Sequence, residues 1–469
     1  MQTITIPLVA MTVFASHAGV PTAPVEPLLL FMQPADTRDA VGMLTFEANA
    51  LMMRGPLAPE SEKPSTSQPV ERSLRRNRDS RIDFRALLSV PEPDGSRLVY
   101  GNSTDELDTE PRTFRWTLYR ARTRDGYHYS DLQEIGRNPE GPWLIEAAMV
   151  RQDSTGRIFF FPWSRSERPA EGHALWGFVS SDGRAWRPLA DEPLYLDHDA
   201  FGMMWDARTH RFLTGQVTYQ PWKKPYPDNM GPERRRVLTM RTSEDGAHWK
   251  QVGHGTGGGL ITPDDQDPPD VEFYRLQPFA YGDRYVAMAD LYAASPLTSG
   301  KHGPHLACEW WVSADGINWE RPWRSLDARG DTGYPVKMAP MFFGREMLFW
   351  LAGQVCAMPE YRIASVGARS NAEFSTVVFT MPERPLLINA SVPGGTGLFN
   401  QAYVQVELRD EIGTVIPGYE RDRCLLQNVD DTRIPLRWGE RTGSELTGRK
   451  VSLRFRLRSA RIYVLAVQQ

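Results

Sequence analysis

Short apolar stretches separated by turns recur along the middle of this chain. They are rich in aromatic and β-branched side chains, as at 98–100, 158–161, 212–215, 285–288 and 347–351. Segments this short are too short for stable helices, whereas half-buried strands favour such residues. Weak turns precede these strands, and four of the turns contain Gly95, Gly156, Gly282 and Gly344, which lie 61, 126 and 62 residues apart. The pattern predicts strands that repeat about every 62 residues.

A second turn marks the same repeat. It has the form Ser or Thr, any residue, Asp-Gly, two residues and an aromatic. Its aspartates are Asp125, Asp182, Asp245 and Asp315, at steps of 57, 63 and 70 residues. Aspartate accepts backbone N–H groups in such a turn, and glycine adopts the positive φ that the turn requires. Four occurrences in step indicate a repeated antiparallel unit.

Five such units fit between residues 83 and 381. A unit of this length forms a four-stranded antiparallel blade, and blades that each bury only one face must close into a ring. The fifth unit has no Asp-Gly turn; the segment 369–374 stands in its place. The predicted fold class is therefore all-β, with residues 83–381 forming a five-bladed β-propeller.

The pattern changes after Pro382. Residues 404–408 and 451–457 alternate strictly between apolar and polar. Such alternation is typical of antiparallel sheets with one buried face, so residues 382–469 are predicted to form a small C-terminal β-sandwich. Residues 19–82 are interpreted as an N-terminal segment and linker, because 55–80 are rich in Pro, Ser, Glu and Arg.

Residues 1–18 half-fit a secretory signal peptide. Their apolar core ends in the small-x-small pattern Ser16-His17-Ala18, but no Lys or Arg precedes Arg38. Export to a secreted or periplasmic location is predicted, with a buried N-terminal strand as the alternative. No later apolar run is long enough to cross a membrane, so no membrane span is expected.

Composition and charge narrow the function classes. The chain of 469 residues carries 14 Trp, 16 Tyr, 20 Phe, 38 Gly and 37 Pro, which favours strands joined by turns. Its net charge of −4 gives no support for nucleic-acid binding, which requires a basic stripe.

Cofactor and metal chemistry find little support. Cys308, Cys356 and Cys424 lack metal-binding spacing, and free buried thiols are favoured over a single Cys308–Cys356 bridge. No cofactor is expected. The acidic segment 264–270 could bind a structural calcium ion, but a proline-rich loop is the favoured interpretation.

The Asp-Gly-x-x-Trp turns resemble the Asp-box of sialidase-type propellers. Five blades followed by a β-sandwich resemble the fructosidase-like and arabinanase-like glycoside hydrolases. Glu272-Phe-Tyr274 and Leu453-Arg-Phe455 are similar to motifs of exported glycoside-hydrolase-like bacterial proteins. The resemblance implies the architecture over residues 83–469 and an oligo- or polysaccharide substrate. The Trp-Met-Asn-Asp-Pro-Asn motif of fructosidases and the arginine triad of sialidases are not found, so neither specific activity carries over.

The period also aligns polar residues in successive first strands. Ten residues before each inner turn stand Arg85, Glu146, Asp199, Glu272 and Tyr334. First strands line the channel of a propeller, so the three consecutive carboxylates are expected to converge at one mouth. A glycosidase needs one carboxylic acid to protonate the leaving oxygen and a second carboxylate to attack the sugar or activate water. The alternative is that these acids hold neighbouring blades together through backbone N–H groups.

Glu146, Asp199 and Glu272 are therefore the predicted catalytic residues of a propeller-type glycoside hydrolase. Asp199 is assigned as base or transition-state partner, and Glu272 as acid. The predicted substrate-binding residues are Arg85, His198, Trp222, Tyr334 and Lys337. Two alternatives stay open: a non-catalytic propeller that binds glycan or protein, and a polysaccharide lyase in which Tyr334 is the base and Arg85 binds a uronate.

Overall fold

A computed structural model describes most of the chain. The described residues are 25–59, 85–107, 113–137, 143–165, 172–224, 231–253, 259–293, 305–324, 326–330, 336–351, 354–394 and 401–468. Within these ranges the protein is all-β, as the sequence predicted. The helical elements are 3-10 turns at Pro34–Asp36, Arg421–Arg423 and Ser444–Leu446. No helix in these ranges is long and apolar enough to cross a membrane.

Five groups of strands follow an N-terminal series, and we call these groups units 1 to 5. The N-terminal strands are β1 (Val25–Leu30), β2 (Arg38–Val41), β3 (Thr45–Ala48), β4 (Met52–Pro56) and β5 (Ala58–Pro59). Unit 1 contains β6 (Arg85–Pro91), β7 (Arg97–Leu107), β8 (Thr113–Thr123) and β9 (His128–Arg137). Unit 2 contains β10 (Trp143–Arg151), β11 (Ile158–Arg165), β12 (His173–Leu175), β13 (Phe178–Ser180), β14 (Arg187–Pro188) and β15 (Tyr195–Asp197).

The next three units continue in chain order. Unit 3 contains β16 (Phe201–Asp206), β17 (Arg211–Pro221), β18 (Arg234–Ser243), β19 (Lys250–Val252) and β20 (Leu260–Ile261). Unit 4 contains β21 (Val271–Tyr281), β22 (Arg284–Ala293) and β23 (His305–Ser313). Unit 5 contains β24 (Met341–Phe343), β25 (Glu346–Leu351) and β26 (Gln354–Pro359). Strands of a unit pair antiparallel, and a single bridge between Gly215 and Leu276 links unit 3 to unit 4.

Buried apolar residues join each unit to the next. Each shared cluster is represented by one pair: Trp116 and Phe160 (units 1 and 2), Phe161 and Phe212 (units 2 and 3), Leu238 and Trp311 (units 3 and 4), Phe279 and Phe349 (units 4 and 5), and Trp350 and Val99 (units 5 and 1). The Trp350 indole N–H also donates to the backbone oxygen of Gly126 in unit 1, at 2.6 Å. Apolar packing therefore runs through all five units and returns from the fifth to the first.

The Asp-Gly turns lie at these contacts between units. The Asp182 carboxylate accepts the backbone N–H groups of Arg184 at 2.8 Å and Ala185 at 3.0 Å. Gly183 has a φ of 71°, and a Cβ atom there would lie 2.7 Å from the ring of Tyr100 in unit 1. Glycine satisfies both the backbone conformation and the close approach, so this turn shapes an interface between units.

The remaining strands build two further sheets. They are β27 (Ala364–Ala368), β28 (Ala372–Ser375), β29 (Phe379–Thr380), β30 (Leu386–Val392), β31 (Tyr403–Asp410), β32 (Leu425–Leu426), β33 (Val429–Pro435), β34 (Lys450–Arg458) and β35 (Ala460–Gln468). One sheet has the order β3-β27-β35-β30-β33 with β1 paired to β35, and the other has the order β2-β28-β34-β31-β32 with β29 paired to β34. Phe31, Phe374 and Phe455 lie in a core that both sheets share.

Strand pairing differs from the expected boundaries at residues 82 and 381. β27 and β28 lie before residue 381, yet they pair with β35 and β34. The segment 19–82, interpreted as a linker, supplies β1 to β3 to the two further sheets and β4 to unit 5, where Met53 lies opposite Cys356. Alternation in sequence reports which face of a strand is buried but not which distant strand is its partner. Residues 1–18, the expected signal peptide, lie outside the described ranges.

Candidate functional site

Polar residues that lie in, or just before, the first strands of the five units form one cluster. Arg85 begins β6, Glu146 lies in β10, Asp199 precedes β16, and Lys337 precedes β24. Unit 4 contributes Tyr274 and Arg275 of β21. We call these six residues the central cluster.

Glu146 makes the contacts that define the centre of this cluster. The Lys337 ammonium group donates to both Glu146 carboxylate oxygens, at 2.9 and 3.0 Å. Arg275 approaches the same carboxylate at 3.8 Å. These three residues come from units 2, 5 and 4, so Glu146 meets side chains from two units that are not its neighbours in chain order.

The charges around Glu146 keep it ionised. Burial raises the pKa of the Glu146 carboxyl, but Lys337, Arg275 and Arg85 together outweigh burial and lower it below its ordinary value. This carboxylate therefore carries a negative charge at neutral pH.

A second layer holds Arg275 in place. The Asp290 carboxylate accepts from Arg275 at 2.7 Å, and the Cys308 thiol donates to the other Asp290 oxygen at 3.2 Å. Burial lowers the pKa of Arg275, but the carboxylates of Asp290 and Glu146 outweigh burial and raise it, so the guanidinium keeps its charge. The repeat in the sequence does not indicate Arg275 and Asp290, because neither occupies the repeated register. In the structure, these two residues lie directly opposite one another in β21 and β22, a pairing that the repeat in the sequence does not display.

Tyr274 lies within range of the charges of both Glu146 and Asp199. Burial raises the pKa of the Tyr274 hydroxyl, and the negative charges of Asp199 and Glu146 raise it further. The hydroxyl therefore stays protonated and can donate a hydrogen bond. Two of the three predicted catalytic carboxylates thus act on the same tyrosine, which the sequence analysis quoted only as part of a motif.

Glu272 does not join these residues. Its side chain is 3% exposed, and its two oxygens lie 2.6 Å from the Lys224 ammonium and 2.7 Å from the Arg236 guanidinium. Phe273 lies opposite Leu291, whereas Arg275 lies opposite Asp290, so Tyr274 is the extra residue of a β-bulge. The bulge shifts the register that the sequence analysis assumed for unit 4, and Tyr274 and Arg275 lie where Glu272 was expected.

The other predicted substrate-binding residues lie in different surroundings. The His198 ring packs against Tyr219 with centroids 3.9 Å apart. Burial, followed by the charges of His173 and Arg236, lowers the pKa of His198 to about 4, so this imidazole is neutral at neutral pH. Trp222 is 40% exposed, and the Arg235 guanidinium stacks 3.9 Å from its ring centroid. Tyr334, on which the lyase alternative depends, lies outside the described ranges.

Two aspartates of the acidic segment 264–270 pair with arginines. Arg321 donates to both Asp267 oxygens, at 2.5 and 2.7 Å, and Arg324 donates to Asp264 at 2.8 Å. The described part of the chain contains no group of three or more His, Cys, Asp or Glu side chains placed to hold a metal ion.

The three cysteines are free thiols. Cys308, Cys356 and Cys424 are all buried, and none is joined to another in a disulfide. Burial raises the pKa of Cys308 and Cys424, which disfavours the reactive thiolate.

Comparisons with known proteins find similar structures only. No protein-family model and no curated protein matches this chain. The solved structures that resemble it include propeller-type glycoside hydrolases, as the sequence resemblance implied. A GH32 β-fructofuranosidase from Bombyx mori is 8% identical with a TM-score of 0.37, over 82% of this chain and 92% of its own.

Two further structures show similar values. A fructofuranosidase variant from Schwanniomyces occidentalis is 9% identical with a TM-score of 0.34, over 82% of this chain and 95% of its own. An N-acetylgalactosamine deacetylase from F. plautii, solved with blood group B trisaccharide, is 10% identical with a TM-score of 0.33, over 93% of this chain and 94% of its own. Similarity at this level assigns no activity to this chain.

Proposed function

We propose that this chain is an exported propeller-type glycoside hydrolase whose active site is the central cluster. In this proposal units 1 to 5 are the blades of a closed propeller, and the two further sheets form a β-sandwich beside it. The substrate is an oligo- or polysaccharide. The observation that carries the proposal is the meeting of Glu146 with Lys337 and Arg275 from other units, beside Asp199 and Tyr274.

The environment of Glu146 supports one of the two roles, and the other is assigned by elimination. Glu146 stays ionised, which suits the carboxylate that attacks the sugar or deprotonates water. Asp199 is then the second carboxylate, and by elimination we assign it the role of taking up a proton before the reaction and passing it to the leaving oxygen. This assignment reverses the role expected for Asp199 from the sequence. It also leaves out Glu272, because two buried cations, Lys224 and Arg236, occupy its oxygens.

Activity on a polysaccharide panel tests this proposal. Reducing ends released by the purified protein are measured on neutral and acidic polymers. We expect Glu146→Gln and Asp199→Asn each to lower the rate by at least about 10³-fold, because each removes one of the two groups that the reaction needs. Reducing-end release without an unsaturated, ultraviolet-absorbing product separates hydrolysis from elimination.

The matched control is Glu47→Gln, which makes the same chemical change in a half-exposed ion pair with Arg461. It should leave the rate unchanged. Hydrolysis that persists in folded Glu146→Gln would overturn the proposal.

A non-catalytic glycan-binding propeller is the second candidate. It is favoured by the contact of Lys337 with both Glu146 oxygens, since a carboxylate engaged in this way also serves as a structural ion pair. In that case a glycan binds to the wild-type protein by calorimetry, yet no polymer of the panel is cleaved.

A further inference from the structure

Arginine side chains cover the outer face of the sheet β2-β28-β34-β31-β32. In β34 the apolar side chains of Leu453, Phe455 and Leu457 are buried in the core and alternate with arginines. The arginines therefore project from the opposite face. Arg409 of β31 and Arg421 of a 3-10 turn join them. We call this set the arginine face: Arg409, Arg421, Arg454, Arg456 and Arg458.

Two carboxylates lie among these arginines. Glu373 accepts from Arg421 and from Arg454, each at 3.0 Å. Glu407 accepts from Arg421 at 2.8 Å and from Arg409 at 2.8 Å. Burial raises the pKa of both carboxyls, but the arginines outweigh it and lower both values, so both groups are ionised. Five guanidinium groups against two carboxylates leave an excess of three positive charges.

This excess is local, because the whole chain carries a net charge of −4. Arg456 is 41% exposed and Arg421 is 31% exposed, so their guanidinium groups reach solvent. Alternate positions of a strand lie roughly 7 Å apart, which spaces the β34 arginines regularly along an extended line. The Arg456 guanidinium also lies 6.0 Å from the ring of Tyr403, which adds an aromatic surface to the face.

We propose that the arginine face binds an anionic polysaccharide through its carboxylate or sulfate groups. A guanidinium donates two parallel hydrogen bonds to either group, and a row of guanidiniums matches a chain that repeats its charges. An extended polymer suits a sheet face better than a small ligand, which requires a concave pocket. The choice of a polysaccharide over another polyanion rests on the proposed function, whereas the ionic recognition does not require catalysis.

Affinity electrophoresis in native gels tests the inference. Polygalacturonate supplies carboxylates, dextran sulfate supplies sulfates, and neutral dextran is the reference polymer. We expect wild-type protein to be retarded by at least one of the two anionic polymers and released as salt is raised. The double variant Arg456→Ala/Arg458→Ala should bind at least about tenfold more weakly, with a smaller dependence on salt.

Matched variants make the result specific. Arg461→Ala removes an equally exposed arginine from the other sheet, and we expect it to bind as the wild type does. Glu146→Gln should also bind normally, which separates failure of this inference from failure of the proposed hydrolysis. The inference is overturned if neither anionic polymer retards the wild type, if Arg461→Ala weakens binding as much as the double variant, or if double-stranded DNA or anionic phospholipid vesicles bind more tightly than both polymers.

Discussion

At the scale of single residues, Glu146 is subject to opposing influences on its charge. Its side chain is 17% exposed, and burial alone favours the neutral acid. The positive charges of Lys337 and Arg275 counter this effect of burial on the carboxyl group, and Asp290 holds Arg275 in place through a hydrogen bond. The chain thus keeps a carboxylate ionised in a place where an isolated one would take up a proton.

This environment links stability to pH. The folded-state pKa of Glu146 lies below its ordinary value of 4.5, so its ion pairs stabilise the fold fully above about pH 4.5. As pH falls from there through the lower folded-state value, the unfolded chain takes up the proton first and this contribution is lost. Urea unfolding should show wild type more stable than Glu146→Gln at pH 7, with the difference narrowing below about pH 4.5. A difference that stays constant down to about pH 3 would contradict this account.

At the scale of elements, a β-bulge decides which side chains of β21 reach the central cluster. The bulge at Tyr274 leaves Glu272 beside β18, where Lys224 and Arg236 of unit 3 pair with it. Glu272 therefore ties unit 4 to unit 3. From the sequence, the alternative to catalysis was that these acids hold neighbouring units together through backbone N–H groups. Glu272 does join two units, but mainly through the cationic side chains of Lys224 and Arg236. One backbone N–H, that of Arg236, also donates to Glu272 at 3.2 Å.

We expect Glu272→Gln to lower the free energy of unfolding by roughly 3 to 5 kcal/mol, because it leaves two buried cations without their counter-charge. Urea denaturation at neutral pH measures the loss. The comparison variant Glu47→Gln removes a half-exposed pair and should cost less than about 1 kcal/mol. Equal losses in the two variants would show that the buried pair contributes no more than a surface one.

The sequence predicted elements better than it predicted side-chain positions. Alternation and the Asp-Gly turns report local burial and backbone conformation, which the chain encodes within a few residues. The repeat period predicted that Glu146 and Asp199 share a register, and in the structure the charges of both carboxylates act on Tyr274. It failed for Glu272, in a strand whose bulge at Tyr274 the spacing of the turns does not report. The Arg275–Asp290 pair depends on strand register, which no repeat in the sequence displays.

At the scale of the whole molecule, the N-terminal segment joins parts that lie far apart in the chain. β4 pairs with β26 of unit 5, and β5 lies parallel to β9 of unit 1, so the segment bridges the last and first units. β1 to β3 belong to the two further sheets. The sequence could not indicate these pairings, because the composition of 55–80 is that of a linker and the partner strands lie from about 70 to about 440 residues away.

A disulfide between β4 and β26 tests this closure directly. Met53 lies opposite Cys356, whereas Met52 lies opposite Ala357 and is exposed. Side chains at directly opposite positions are close enough for a disulfide, so Met53→Cys should form a bridge to Cys356 on oxidation. The wild type has three free thiols. One added thiol makes four and a bridge consumes two, so thiol titration should find two in oxidised Met53→Cys and four in Met52→Cys.

The bridge should also stabilise the molecule. It closes a loop of some 300 residues, for which the loss of chain entropy in the unfolded state predicts up to about 6 kcal/mol. Oxidised Met53→Cys should therefore unfold at a higher temperature than the same protein after reduction, while Met52→Cys should unfold at one temperature in both states. If Met53→Cys retains four thiols under conditions that oxidise accessible cysteines, then β4 does not occupy the edge of unit 5, and the N-terminal segment does not bridge units 5 and 1.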